Sequence, residues 1–243
     1  MIALGVHELH VWTAAPPGRP DDGAICNAEE RARAARFVRP QDRDAFLHAR
    51  GALRVVLGHY LDAAPAAIEF ASGPWGKPEL AGPFARRGFA FNLSHAGGLA
   101  LIAVARERAV GIDVERVRAM PEALAIADRV IGARGAAGLE HLDPRQRDLA
   151  FLRLWTAHEA CIKALGRALA VAGEAVRIGW AGGSPVCDWA DPGAAPDGLD
   201  LVSLATAPGH VAALAWTRRP AADAGPAGMN IARFDYAASL ADC

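Results

Sequence analysis

Along the chain, stretches with a two-residue hydrophobic period alternate with stretches of helical period, and their order predicts the architecture. Residues 1–13 alternate imperfectly, as a half-buried strand does, and AAPPGRPDDG then reads as a loop from its Pro, Gly and Asp content. Residues 28–38, with Arg31, Arg33 and Arg36 among alanines, read as a helix that Pro40 interrupts; a longer helix follows over residues 42–61. In that helix Phe46, Leu53, Leu57 and Tyr60 recur near the helical period and are expected in a core, leaving Arg43, Arg50 and Arg54 on a basic face. Short strands are predicted at residues 67–71, 89–93, 99–105 and 109–114, joined by SGPWGKP, SHAGG and ARER as a β-meander. The pattern turns helical again at residues 121–132 and 145–169, and ends in strands near 174–180, 201–205 and 211–216.

Strand, helices, strands, then helices and strands again suggest an α+β protein made of two similar α/β halves in one chain. Residues 1–109 form the N-terminal half, 110–220 the C-terminal half and 221–243 a tail, rich in Ala, Gly and Pro, expected to be peripheral. No close sequence repeat links the halves.

Composition narrows the classes. With 52% hydrophobic residues and 26 Lys plus Arg against 27 Asp plus Glu, the 243-residue chain is not a disordered one. A formal charge of −1 argues against a general nucleic-acid partner, which requires a basic surface, so any phosphate site must be local. No apolar run approaches the roughly 18–20 residues of a membrane helix. Cys26, Cys161, Cys187 and Cys243 are far apart without a CxxC pair, fitting reduced thiols in a cytoplasmic protein better than zinc or a disulfide framework. Of the 26 basic residues 24 are arginine, which draws notice to the only two lysines, Lys77 and Lys163.

Four segments carry chemistry. In GIDVE (111–115), strand alternation sends Ile112 and Val114 to one side and Asp113 and Glu115 to the other, where two carboxylates can chelate a hard cation or simply face solvent. In FLRLWTAHEACIKALG (151–166), Phe151, Leu154, Trp155, Ile162 and Leu165 form an apolar seam, and Glu159 and Lys163 are neighbours one turn apart: a paired site or an ordinary surface pair. FNLSHAGG places Asn92, Ser94 and His95 at a strand end, able to present donors to an anion or to be a polar hairpin turn. Ser94 and His95 are adjacent and would point apart, and no GxSxG elbow exists, so a serine hydrolase is disfavoured. GPWGKPEL holds Gly76 and Lys77 in a tight turn, where the ammonium is either solvated or a fixed charge for phosphate.

The ordered set GKP, NLSH, GIDVE, WTAHEACIKALG resembles the 4′-phosphopantetheinyl transferases of the Sfp type, whose hallmarks are G-I-D-x-E and W-[ST]-x-K-E-[AS]-x-x-K, over residues 30–180. The resemblance implies two similar halves related by pseudo-twofold symmetry and a holo-[acyl-carrier-protein] synthase activity. The 4′-phosphopantetheine arm of coenzyme A would pass to a serine of an apo acyl or peptidyl carrier protein, with release of adenosine 3′,5′-bisphosphate. It implies Mg²⁺ held by Asp113, Glu115 and Glu159, with Glu159 and Lys163 catalytic. Arg33, Gly76, Lys77, Asn92, Ser94 and His95 match positions in the coenzyme A phosphate motifs, and residues 116–153, arginine-rich, match a region that receives the carrier. One position departs: His158 stands where the family has a phosphate-binding lysine, and an imidazole is fully charged only below about pH 6.5. That substitution keeps open a coenzyme A- or carrier-binding homologue with weak or no transfer. A cytoplasmic monomer, acting without nucleic acid or membrane, is expected; a pyrophosphate hydrolase is disfavoured for want of a Nudix-like helix.

Overall fold

Two 22-residue helices, each laid on a mainly antiparallel sheet, organise the chain. The structure, a computed structural model, describes residues 1–16, 21–73, 76–166, 176–189, 198–218 and 228–239. In chain order the elements are β1 (Glu8–Ala14), α1 (Asp22–Ile25), α2 (Ala28–Ala34), α3 (Pro40–Leu61), β2 (Phe70–Ser72), β3 (Pro78–Leu80), β4 (Phe89–Ala96), β5 (Leu99–Arg106) and β6 (Val110–Arg116). There follow α4 (Ala123–Ile126), continued by a wider turn over Ala127–Ile131, α5 (Ala133–Ala136), α6 (Pro144–Leu165), β7 (Val176–Ala181), β8 (Ser184–Trp189), β9 (Leu199–Leu204), β10 (His210–Thr217), β11 (Asn230–Asp235) and α7 (Tyr236–Ser239). Among the described residues no helix is long and apolar enough to cross a membrane. Contacts divide the chain into unit 1 (Met1–Gly73, Pro78–Glu107 and Asn230–Cys243) and unit 2 (Pro74–Lys77 and Arg108–Met229).

In unit 1 the sheet runs β11-β1-β5-β4, and α3 covers it through Leu53, Val56, Leu57, Tyr60 and Leu61, all nearly inaccessible. Proline at its first turn fits α3, because that position's N–H would have no helical partner. α2 begins with a reciprocal capping box between Asn27 and Glu30. The tight link from β4 to β5 uses Gly97 and Gly98 at φ 57° and 88°, the two left-handed positions that such hairpins require.

In unit 2 the sheet is β6-β10-β9 with α6 packed on it, and β7 and β8 form a separate hairpin. The side chain of Asp143 accepts the backbone N–H of Gln146 to start α6, and Gly166, in the left-handed region, ends it. Each unit thus has a long helix, a sheet that is wholly or mainly antiparallel and a two-stranded hairpin, so the α+β expectation of two halves alike in content agrees with the architecture.

Four expectations are corrected. The meander stops at β5: β6 pairs with β10, because alternation marks a strand but not its partner. The described part of the tail, residues 228–239, is not peripheral, since β11 adds to β1 as a parallel neighbour, Phe234 stacks on Trp12 at 4.6 Å and Tyr236 is fully buried. Arg54 is buried, not on a solvated face: it donates to Glu30 at 2.7 Å and to the carbonyls of Pro65 and Ile68. A strand at residues 67–71 is replaced by a 3₁₀ turn over Pro65–Ala67 and a strand starting at Phe70. The expected helix end at 167–169 and strand start at 174–175 lie outside the described residues.

Candidate active site

The site in unit 2 starts from the glycine of GIDVE. A Cβ at Gly111 would stand 2.1 Å from the carbonyl oxygen of Ala160 and 2.4 Å from the nitrogen of Ala164. Only a residue without a side chain lets α6 lie this close to β6. Strand alternation puts Asp113 and Glu115 on the same side as Gly111, the side that α6 covers. Of the two readings of this pair, chelating carboxylates or a solvated outer face, the second does not hold: the pair meets a helix, and Asp113 is buried.

From α6, Lys163 Nζ reaches Asp113 Oδ1 at 2.5 Å and the Ile112 carbonyl at 3.4 Å. Glu159, one turn earlier, is partly buried, and its carboxyl is pushed above the usual carboxylate range. Burial is the main cause; the nearby Lys163 opposes it, and repulsion from Asp113 and Glu115 adds to it. The three carboxylates thus share one electrostatic field. Glu115 is paired with Arg118 at 2.7 Å, so an arginine of the segment matched to carrier reception also neutralises a candidate ligand.

Lys77 takes an unexpected place. Its ammonium donates to the carbonyls of Val110 at 2.9 Å and Lys163 at 2.7 Å, strapping the last turn of α6 to the start of β6. A cation there also suits the negative end of the helix. Gly76 precedes it at φ 78°, in open space. His158 is fully buried, whereas the resemblance placed it at a ligand phosphate.

The remaining predicted residues belong to unit 1. Asn92 and Ser94 are buried on β4 and His95 is exposed, the opposed directions expected of neighbours on a strand. Arg33 is exposed on α2, its guanidinium 5.5 Å from the centre of the Phe46 ring.

The donor set suits a hard divalent cation: three carboxylates come from a strand and a helix, Asp113 and Glu115 add to the raised proton affinity of Glu159, and Lys163 and Arg118 pair with Asp113 and Glu115. Among the described residues no three His, Cys, Asp or Glu side chains stand close enough together to form a finished cage. Sequence reasoning missed the close approach at Gly111 and the strap at Lys77. For the first the signal was present, a glycine within a strand pattern; the second had none, because it depends on main-chain carbonyls.

The model of the 4′-phosphopantetheinyl transferase superfamily matches residues 109–193, and that of the N-terminal part of 4′-phosphopantetheinyl transferases matches residues 16–107. The chain is 38% identical to the 4′-phosphopantetheinyl transferase HetI of Nostoc sp. over 67% of its own length and 70% of the relative's. It is 39% identical to a provisionally named 4′-phosphopantetheinyl transferase of Synechocystis sp., over 62% of this chain and 61% of that one. To the 4′-phosphopantetheinyl transferase of Bacillus subtilis it is 29% identical, over 61% and 63%. The matches thus span about three fifths to 70% of the relatives' lengths. With both unit-sized segments matched, the chain belongs to the 4′-phosphopantetheinyl transferase superfamily.

Proposed function

We propose that the protein transfers the 4′-phosphopantetheine arm of coenzyme A to a serine of an apo acyl or peptidyl carrier protein, releasing adenosine 3′,5′-bisphosphate. The observation that supports this reading best is the seating of α6 on β6 at Gly111, which brings Glu159 and Lys163 up to Asp113 and Glu115. In this reading Asp113, Glu115 and Glu159 would hold Mg²⁺, which when bound neutralises oxygens of the pyrophosphate. By resemblance, Arg33, Gly76, Lys77, Asn92, Ser94 and His95 are assigned to the coenzyme A phosphates; His158, fully buried, is left out of that set.

The chain's own groups then have distinct tasks. The serine oxygen forms a bond to phosphorus while the pyrophosphate P–O bond breaks, the electron pair leaving with the nucleotide. Little covalent work falls to the protein, so positioning and charge compensation dominate. Glu159 accepts the serine proton, directly or through one water, and its raised proton affinity favours that role. Lys163, held at Asp113, supplies a compact positive charge for the negative charge growing on the leaving group.

Arg116 is exposed at the end of β6 and is assigned to docking of an acidic carrier, while Arg118 serves Glu115 as well. Cytoplasmic, monomeric action completes the proposal. Product analysis after incubation with coenzyme A, Mg²⁺ and apo carrier tests the reaction. The reading expects modified carrier and adenosine 3′,5′-bisphosphate in equal amounts. Free phosphopantetheine would indicate hydrolysis, and unchanged coenzyme A that stays bound would indicate a binding protein.

A further inference from the structure

Unit 2 holds a cavity of about 380 Å³ whose lining includes none of the residues assigned to the metal, to coenzyme A or to catalysis. Three parts of the fold build it. Arg153 and Thr156, on one face of α6, form a wall. Gly182 and Gly183, at φ 57° and 78°, make the two-residue turn from β7 to β8 that brings Ser184 to the rim. Ser203 is paired with Ala213, on the side of the sheet that α6 covers, and the link from β9 to β10 adds Thr206 and His210.

The chemistry of this lining is one-sided. Among the described residues it has no Asp or Glu. Arg153 is exposed, and its guanidinium has no ion-pair partner among the described residues. Thr156 gives its hydroxyl to the Arg153 carbonyl at 3.1 Å, so it closes the wall and leaves Ser184 and Ser203, both exposed, as open hydroxyls. Thr206 Oγ1 is buried without a hydrogen-bond partner among the described residues, although buried hydroxyls are nearly always paired. A guanidinium ringed by hydroxyls, with no carboxylate, is a donor set for an oxyanion. The donors stand on a helix, a hairpin turn and a loop and so approach from several sides. A tetrahedral phosphate presents oxygens in that many directions; a planar carboxylate does not. The volume lies in the range of small-molecule sites, roughly 300–1,000 Å³, and Leu204 and Val211 give part of the wall an apolar surface, so an organic group fits beside the phosphate.

We propose that this cavity binds a small phosphomonoester, with Arg153 as the anchoring cation and Ser184, Ser203 and Thr206 as hydroxyl donors. Amide NMR of the full chain tests the site without any assay of transfer. Glycerol 3-phosphate is titrated at constant ionic strength, with inorganic phosphate, glycerol and sodium chloride as parallel probes. The expected result is saturable shifts of the Gly183, Ser184, Ser203 and Thr206 amides by the ester, with a Kd on the order of 1 mM or tighter. Inorganic phosphate should move the same amides with weaker affinity, and glycerol and chloride should move none. Arg153→Ala, at an exposed position, should weaken the ester at least about tenfold, and Ser203→Ala less, each with an otherwise wild-type spectrum. The proposal is overturned if the ester shifts these amides no more than chloride does, or if its saturable shifts lie only elsewhere in the chain. It is equally overturned if both variants bind the ester with wild-type affinity, or if inorganic phosphate binds as tightly as the ester, which would make this a site for the free ion.

Discussion

A methyl group at position 111 would have to share space with the main chain of α6, which no rotamer change can relieve. Gly111→Ala therefore forces the helix and strand apart, at a cost of about 1–3 kcal/mol for overpacking. The displacement also separates Glu159 and Lys163 from Asp113, and an ångström of misplacement can cost roughly 100-fold in rate. Urea unfolding together with transfer kinetics checks both; a variant of wild-type stability and rate would show that the close approach is dispensable. Glu159 makes a second prediction. Its proton affinity is higher in the folded than in the unfolded chain, chiefly through burial, so stability is lost as pH rises from the ordinary carboxylate value through the folded one. Glu159→Gln should be more stable than wild type above that window, equal to it below, and impaired in transfer. Unfolding curves across pH 3–8, roughly the span in which a raised carboxylate titrates, test the sign. At this scale Asp113, Glu115, Glu159 and Lys163 were legible in the sequence because strand and helix spacing fix which side chains are neighbours. The fate of Arg54 was not: helical periodicity marks it as polar, and only the tertiary partner Glu30 explains its burial.

At the scale of elements, α2 and α3 are clamped through Glu30, whose carboxylate accepts from Arg50 and Arg54 at 2.7 Å each and from the Asn27 backbone at 2.9 Å. Burial raises its proton affinity, but these hydrogen bonds and charges outweigh burial and leave the carboxyl below its usual range. The clamp therefore stabilises fully above the ordinary carboxylate value and is lost as pH falls through the depressed one. Glu30→Gln would strand the buried Arg54 guanidinium, a loss of about 3–5 kcal/mol at neutral pH that shrinks in acid. Chemical denaturation at two pH values measures it; a loss independent of pH would assign the effect to packing instead. Most elements were readable from the chain, including α3 and α6 nearly to their ends, because long amphipathic periods and proline or glycine boundaries are local signals. Pairing was not. The register of β6 with β10 joins segments about a hundred residues apart, and β8 follows a turn that the pattern left unread.

For the molecule as a whole, the chain's two ends belong to one unit. Tyr236, beyond β11, donates its hydroxyl to the buried Asp22 at 2.5 Å, and the same carboxylate pairs with His48 at 2.6 Å. Tyr236→Phe removes a hydrogen bond to a charged acceptor and should cost about 1–3 kcal/mol. Loss of an amount near zero would make the terminal strand a mere covering. Nothing in the alternation of β11 names a parallel partner at the far end of the chain, which is why this segment was expected to be peripheral. The central claim, that the carboxylates gathered by β6 and α6 carry the transfer, is tested most directly by the intact mass of an apo carrier protein after incubation with coenzyme A. Wild-type protein with Mg²⁺ should add one phosphopantetheine, whereas omission of the metal, or Glu159→Ala, should leave the carrier unmodified. Full modification by Glu159→Ala, at the wild-type rate, would contradict the account.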